Sequence, residues 1–184
     1  MLKITSVSRL RGAFRRIGRD ERGVSAVEFA LLLPLMLVLY FGAVEVSQAV
    51  AVDRKVTLSA RSVADLVAQA QSVNTTEVND ILDAASTVTA PYSAANLKVT
   101  VSQIKIDAQG TATVSWSDAR NTTAKAPGSA VTIPTALQIP NTYLILGEVQ
   151  YTYKPVLGYV VTGTLNLKDQ IYMRPRQGAS VTRN

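Results

Sequence analysis

The sequence predicts an α+β fold, in which a long N-terminal transmembrane helix continues into a small domain with a short second helix and a four-stranded antiparallel sheet. Three patterns lead to this prediction: an apolar run, a helical stripe that follows it, and alternating segments in the second half of the chain. From Val24 to Val44, twenty-one positions carry a single charge, Glu28. Because a spanning helix needs about 20 apolar residues, we expect residues 24–45 to cross a membrane.

A short basic leader precedes the apolar run. Residues 1–22 hold seven Lys or Arg and two acids, a net charge of +5, whereas residues 23–184 carry a net charge of only +1. The positive-inside rule therefore places the leader, residues 1–23, in the cytoplasm and the residues after the helix outside. Since the basicity belongs to the leader, the folded domain shows no basic patch in sequence, and we expect no nucleic-acid partner.

The residue types argue against catalysis. The chain has no cysteine and no histidine, so it lacks disulfides, thiolate metal sites and the commonest general base. The acids after the membrane segment are scattered, and no spacing among them suggests a catalytic pair. They include Asp107, Asp118, Glu148 and Asp169. We expect no enzymatic activity, no metal and no cofactor.

The helical pattern continues beyond the apolar run, through an extracytoplasmic helical segment at 46–90. Apolar residues recur at spacings of three or four, with Asp53 as the one polar interruption, which is typical of an amphipathic helix. No Pro or Gly lies between Ala43 and Gln71, which predicts one helix from Val24 to about Ala70, on the order of 70 Å long. The predicted helix-packing positions are Val46, Val50, Val56, Val63 and Val67.

A second helix is predicted over "NTTEVNDILDAAS", residues 74–86. Asn74 is placed to cap this helix and Glu77 to complete a capping box. Residues 91–174 then change to an alternating, β-rich pattern. The predicted strands are 97–106, 111–118, 142–155 and 163–174, with a long loop at 119–142 and a flexible tail at 175–184.

The alternation also predicts which side chains face inward. On the second strand Ala112, Val114 and Trp116 are expected on one buried face. On the third strand Tyr151 and Tyr153 are expected to share a face with its apolar residues. These two tyrosines and Tyr159 are expected as half-buried packing rather than an exposed adhesive patch. The sheet is expected to bury one face against the helix stripe and leave the other wet.

Three interpretations of the N-terminal segment remain open on the residues alone. A signal peptide would use the A-x-A pattern at Ala49, Val50 and Ala51 and release a product starting at Val52. A plain uncleaved anchor would display a binding domain outside the membrane. The third interpretation concerns the acid at Glu28, because ionisable groups inside membranes are costly and usually mark function.

The stretch "RGVSAVEF" resembles the processing site of type IV pilins, in particular the Flp/Tad branch. The longer block "RGVSAVEFALLLPLMLVLYFGAVEVSQAV" is similar to TadE/TadG-like proteins, and the likeness covers about residues 19–62. By this resemblance Gly23 is the last leader residue, Val24 the new N-terminus after prepilin peptidase cleavage, and Glu28 the glutamate at the fifth mature position. The sequence departs from Flp-type pilins at Phe29, where those proteins have tyrosine.

The resemblance implies a pilin-like protein of the bacterial inner membrane, with its C-terminal domain in the periplasm. It implies a TadE-like minor pseudopilin or assembly component of a Tad-type adhesion pilus, acting through helix packing. The implied partners are the membrane, other pseudopilins, Tad inner-membrane platform proteins and the prepilin peptidase. In a stack of subunits, the amine freed at Val24 of one copy is expected to neutralise Glu28 of its neighbour.

Overall fold

The computed structural model describes residues 21–155 and 163–184. Within it the chain divides into two compact units, one ending at Val44 and one comprising Glu45–Asn184. Helix α1 (Glu21–Ala68) contributes to both units as one continuous helix, which confirms the predicted long helix. Most of the predicted leader and Tyr159 lie outside the described residues.

The second unit contains the predicted second helix and four-stranded antiparallel sheet. Its elements are β1 (Ser72–Val73), α2 (Thr75–Val88), β2 (Leu97–Ile106), β3 (Ala112–Arg120), β4 (Thr142–Tyr153), β5 (Leu165–Met173) and β6 (Thr182–Arg183). Two 3₁₀ turns lie at Ala94–Asn96 and Thr135–Leu137. The sheet order is β3-β2-β4-β5, and a separate parallel pair joins β1 to β6.

Helix α2 begins with the predicted capping box. The Glu77 N–H donates to Asn74 Oδ1 at 3.0 Å, and the Asn74 N–H donates to Glu77 Oε2 at 2.8 Å. Two backbone donors that the helix leaves unpaired at its start are thereby satisfied. The opposite end is held by Lys55 of α1, whose Nζ donates to the carbonyls of Val88 and Ala90.

The main core lies between the sheet and the two helices. From α1 it takes Val56, Val63 and Val67, and from α2 it takes Val78 and Leu82, all buried. The facing strand positions alternate, as the period of a strand requires. They are Leu97, Val99, Val101, Ile145, Val149, Tyr151 and Tyr153, with Leu165, Leu167, Ile171 and Met173 partly buried.

Helix α1 approaches the sheet closely at Gly147 of β4. A Cβ at this position would lie 2.6 Å from the Ala60 carbonyl oxygen and 3.0 Å from Ala64 Cβ. No side chain fits there, so a glycine is required by the packing of α1 on β4 rather than by its own backbone conformation. The small residues Ala60 and Ala64 complete this contact from the helix side.

The other face of the sheet is only partly wet, which corrects the expectation of a single buried face. A smaller cluster centres on Ile104, Ile106, Leu144 and Leu146. Residues of the predicted long loop cover it, with Ile133 buried and Val131 and Leu137 packed against it. The loop therefore supplies part of a second core.

The inward set predicted on β3 is wrong in one respect. Ala112 and Val114 belong to the smaller cluster, whereas Trp116 belongs to the main core on the opposite face. The cause is a register shift, because Gln103 pairs with Trp116 while the next residue, Ile104, pairs with Val114. The extra residue forms a β-bulge, and a bulge switches the face of every side chain that follows it.

The flexible tail predicted at 175–184 is also wrong. Val181 is fully buried; its N–H donates to Gln103 Oε1 at 2.6 Å and its carbonyl accepts from Trp116 Nε1 at 2.9 Å. Arg183 donates from Nε and Nη2 to the two carboxylate oxygens of Asp118 at 2.9 and 3.2 Å. The tail is held because strands β2 and β3 present side chains that satisfy its backbone.

Candidate functional site

The predicted processing residues lie in the first turns of the described helix. Gly23, Val24 and Glu28 all lie in α1 and are exposed, and no atom outside the helix backbone comes within 4 Å of a Cβ placed on Gly23. Val24 and Glu28 are four residues apart, so they share one helix face with Cβ atoms about 5–6 Å apart. The structure thus brings the predicted new N-terminus and the acid to one side of the helix.

The rest of this helical segment presents an apolar surface. Every residue from Gly23 to Tyr40 is exposed, and most of the side chains are large and hydrophobic. A contiguous apolar surface of this extent marks a membrane or protein interface. Among the described residues one helix, Gly23–Ala68, is long and apolar enough to cross a membrane by its length and composition.

The predicted helix-packing positions separate into two groups. Val56, Val63 and Val67 are buried in the core of the second unit. Val46 and Val50 remain exposed, so the stripe buried within this chain begins later than the pattern indicated. Val52 is buried although it lay outside the predicted stripe. Apolar spacings of three and four fit two neighbouring rows of side chains on the helix surface. The position of the sheet decides which of these rows is buried.

Two tyrosines of β4, Tyr151 and Tyr153, are buried. Tyr92 makes edge-to-face contacts with Tyr151 and Tyr153, and Tyr153 Oη donates to Gln48 Oε1 at 3.3 Å. Burial raises the pKa of Tyr153, with the charge of the buried Glu45 among the smaller contributions. This tyrosine cluster (Tyr92, Tyr151 and Tyr153) is core packing, which agrees with the interpretation preferred from the sequence. The burial of Glu45 was not predicted from the sequence. Its position directly after the apolar run was the feature that could have drawn attention to it.

The four scattered acids do not meet. Each carboxylate accepts hydrogen bonds from a different donor. The donors are Arg183 for Asp118, Lys125 Nζ for Glu148, Thr57 Oγ1 for Asp169, and backbone N–H groups of its own turn for Asp107. In the described ranges no three Asp or Glu residues cluster as a metal site requires. Each acid therefore stabilises the fold, by closing a turn, by pairing with a basic side chain or by binding helix α1.

An exposed apolar helix followed by a compact α+β unit fits a protein with a single-pass membrane anchor. Comparison with protein families gives a match: the model of the TadE-like protein family matches residues 23–65. This match confirms the resemblance seen in the sequence, and it begins at Gly23. A TadE-like segment indicates a component associated with the Tad pilus. No curated protein and no solved structure matches the chain.

Proposed function

We propose that this protein is a minor pseudopilin or assembly component of a Tad-type pilus. Its helix packs in the inner membrane against other pseudopilins and platform proteins, with the leader in the cytoplasm and the second unit in the periplasm. The observation that carries the proposal is the TadE-like match over residues 23–65, which includes the exposed apolar stretch of α1 at residues 23–40. The protein acts by assembly, without catalysis or cofactor.

The chemistry of the proposal centres on Glu28. Placing an ionised acid inside a membrane costs roughly 2.5–3.5 kcal/mol near the helix centre. Glu28 lies about 6 Å along the helix from Val24, at ~1.5 Å per residue, so some of that cost remains. Cleavage after Gly23 creates an α-amino group with a pKa of about 7.7–8.0, and this group is largely protonated at neutral pH. The amine of one subunit then neutralises Glu28 of the next and fixes their axial register.

Processing is tested by intact mass and N-terminal sequencing of the membrane-extracted protein, with and without the prepilin peptidase. A start at Val24 that depends on the peptidase supports the proposal. A start at Met1 in both strains identifies a permanent anchor, and Glu28 is then an acid that reaches the headgroups. A soluble product starting at Val52 identifies a secreted protein and overturns the proposal.

Assembly is tested separately through Glu28. Because the chain has no cysteine, a single Leu35→Cys substitution on the exposed apolar face reports contacts between copies or with other cysteine-bearing subunits. Glu28→Gln removes the carboxylate and is expected to lower crosslinking several-fold while cleavage continues. The matched control is Asp53→Asn, an exposed acid of the same helix, which should leave crosslinking unchanged. Equal crosslinking with and without Glu28 contradicts the amine–carboxylate contact.

A further inference from the structure

The face of the sheet that points away from α1 carries an open groove of about 530 Å³ at its polar end. Two rows of side chains line its floor across β2, β4 and β5. The register pairs Lys98 with Gln150 and Gln150 with Lys168, and it pairs Thr100 with Glu148 and Glu148 with Gln170. Residues paired in register lie on the same face of a sheet. We call this feature the polar groove, defined by those six residues and the wall at Thr122–Lys125.

The wall of the polar groove is held in place by hydrogen bonds. Asn121, at a positive φ of 57°, donates from Nδ2 to the carbonyls of Ala94 and Leu97 at 3.0 and 2.7 Å. The Lys125 N–H donates to Ser117 Oγ at 3.1 Å. A groove whose wall is already ordered binds without losing that conformational entropy again.

The charge of the groove is positive. Lys125 Nζ lies 3.0–3.1 Å from the Glu148 carboxylate, so these two charges compensate each other. Among the described residues Lys98 and Lys168 take part in no ion pair, and both are exposed. Asp169 also borders the groove, but its carboxylate accepts from Thr57 on the helix side of the sheet. Two unpaired cations therefore flank an amide, about 10 Å apart across two strand spacings.

The lining selects among anionic ligands. It contains no aromatic side chain, whereas single-stranded nucleic acids are held by stacking on aromatic rings. It is also short of the apolar surface that lines most small-molecule and peptide pockets. What it offers is amides and hydroxyls between two separated cations, which suits a chain that carries hydroxyl groups and regularly spaced carboxylates.

We propose that the polar groove binds acidic oligosaccharide of the uronate type, with Lys98 and Lys168 each holding a carboxylate and Gln150 hydrogen-bonding the hydroxyls between them. The proposal rests on the second unit alone and does not depend on the pilus function. It gives the protein a ligand-binding surface in addition to its assembly helix.

The test is calorimetric titration of the full chain, reconstituted in zwitterionic nanodiscs at low salt, with trigalacturonate as the probe. Saturable binding in the range of about 1 mM or tighter is expected, together with weakening as salt is added. Lys98→Gln combined with Lys168→Gln is expected to weaken binding by roughly tenfold or more, and Gln150→Glu should do the same by placing an anion between the two cations.

The matched control is Lys105→Gln, an exposed lysine of β2 on the opposite face of the sheet, which should leave the affinity within about twofold. Trp116 fluorescence verifies that each variant is folded. Absence of saturable binding by the folded wild type overturns the proposal. Three other results also overturn it. They are an equal loss of affinity in the groove variants and the control, equal affinity for neutral maltotriose, and unchanged affinity in the double variant.

Discussion

Substitution of Gly147 by alanine tests the packing of α1 on β4 directly. The added Cβ would lie 2.6 Å from the Ala60 carbonyl oxygen, whereas ordinary contacts begin at 3.4 Å. The helix must therefore move away by up to about 0.8 Å, and a gap of 0.5–1 Å forfeits roughly a quarter to a half of each dispersion contact. Because the clash is with backbone, rotation of a side chain cannot relieve it.

The expected destabilisation follows from two opposing terms. Overpacking a well-filled core costs about 1–3 kcal/mol, and the backbone clash places Gly147→Ala near the upper end. The lower conformational entropy of the unfolded chain returns about 0.4–1 kcal/mol. A net loss of about 2 kcal/mol is expected, which lowers the melting temperature of a unit of this size by roughly 4–8 °C.

The measurement is urea unfolding of the full chain in nanodiscs, followed by Trp116 fluorescence. Trp116 is the chain's single tryptophan and lies buried in the main core, so it reports the second unit. Gly178→Ala is the matched control, since its added Cβ has Ser180 O as nearest neighbour at 3.5 Å; it should change the free energy of unfolding by less than about 0.5 kcal/mol. A Gly147→Ala free energy within that margin of wild type would refute the close approach of helix and sheet.

Three further predictions concern the same unit and the same unfolding assay. Burial raises the pKa of Tyr153 above 10.0, with nearby charges adding to the shift. The stability that the neutral phenol contributes is therefore complete below pH 10 and is lost as pH rises through the raised pKa. Tyr153→Phe should lose stability less steeply than wild type above pH 10. Arg183→Gln removes both charge-assisted bonds to the partly exposed Asp118 and should cost about 1–2 kcal/mol. Leu82→Ala leaves a cavity in the core under α2 and should cost about 2–4 kcal/mol.

Each of these predictions has a contradicting outcome. Identical alkaline profiles for wild type and Tyr153→Phe would show that the phenol of Tyr153 is solvated. An Arg183→Gln protein as stable as wild type would show that the tail is not clamped by Asp118. A loss below about 1 kcal/mol for Leu82→Ala would place α2 away from the core. Lys105→Gln, at an exposed position, is a suitable reference for the last two.

Local patterns predicted the elements well. The capping box at Asn74 and Glu77 and the alternation of β4 depend on neighbours within a few residues, and both are found in the structure. The processing residues Gly23, Val24 and Glu28 form a site within little more than one helical turn, so spacing alone places them together. Whether cleavage occurs remains a prediction.

The features that the sequence did not predict depend on distant partners. The bulge on β3 is visible only in its register with β2, and it decides which face receives Trp116. The tail is ordered because Gln103 and Trp116 meet Val181 from 78 and 65 residues away. The polar groove combines three strands and a loop, and no spacing along the chain signals such an arrangement.

The buried position of Val181 has a consequence for the order in which the protein is made. Helix α1 ends at Ala68, yet the residue that completes the core beside Trp116 emerges 113 residues later. At about 5–20 residues per second, Val181 is made roughly 6–23 s after the end of the helix. Synthesis therefore delivers the apolar helix first and the last residue of the main core much later, so a chain that ends before Val181 leaves the Nε1 donor of Trp116 without its acceptor.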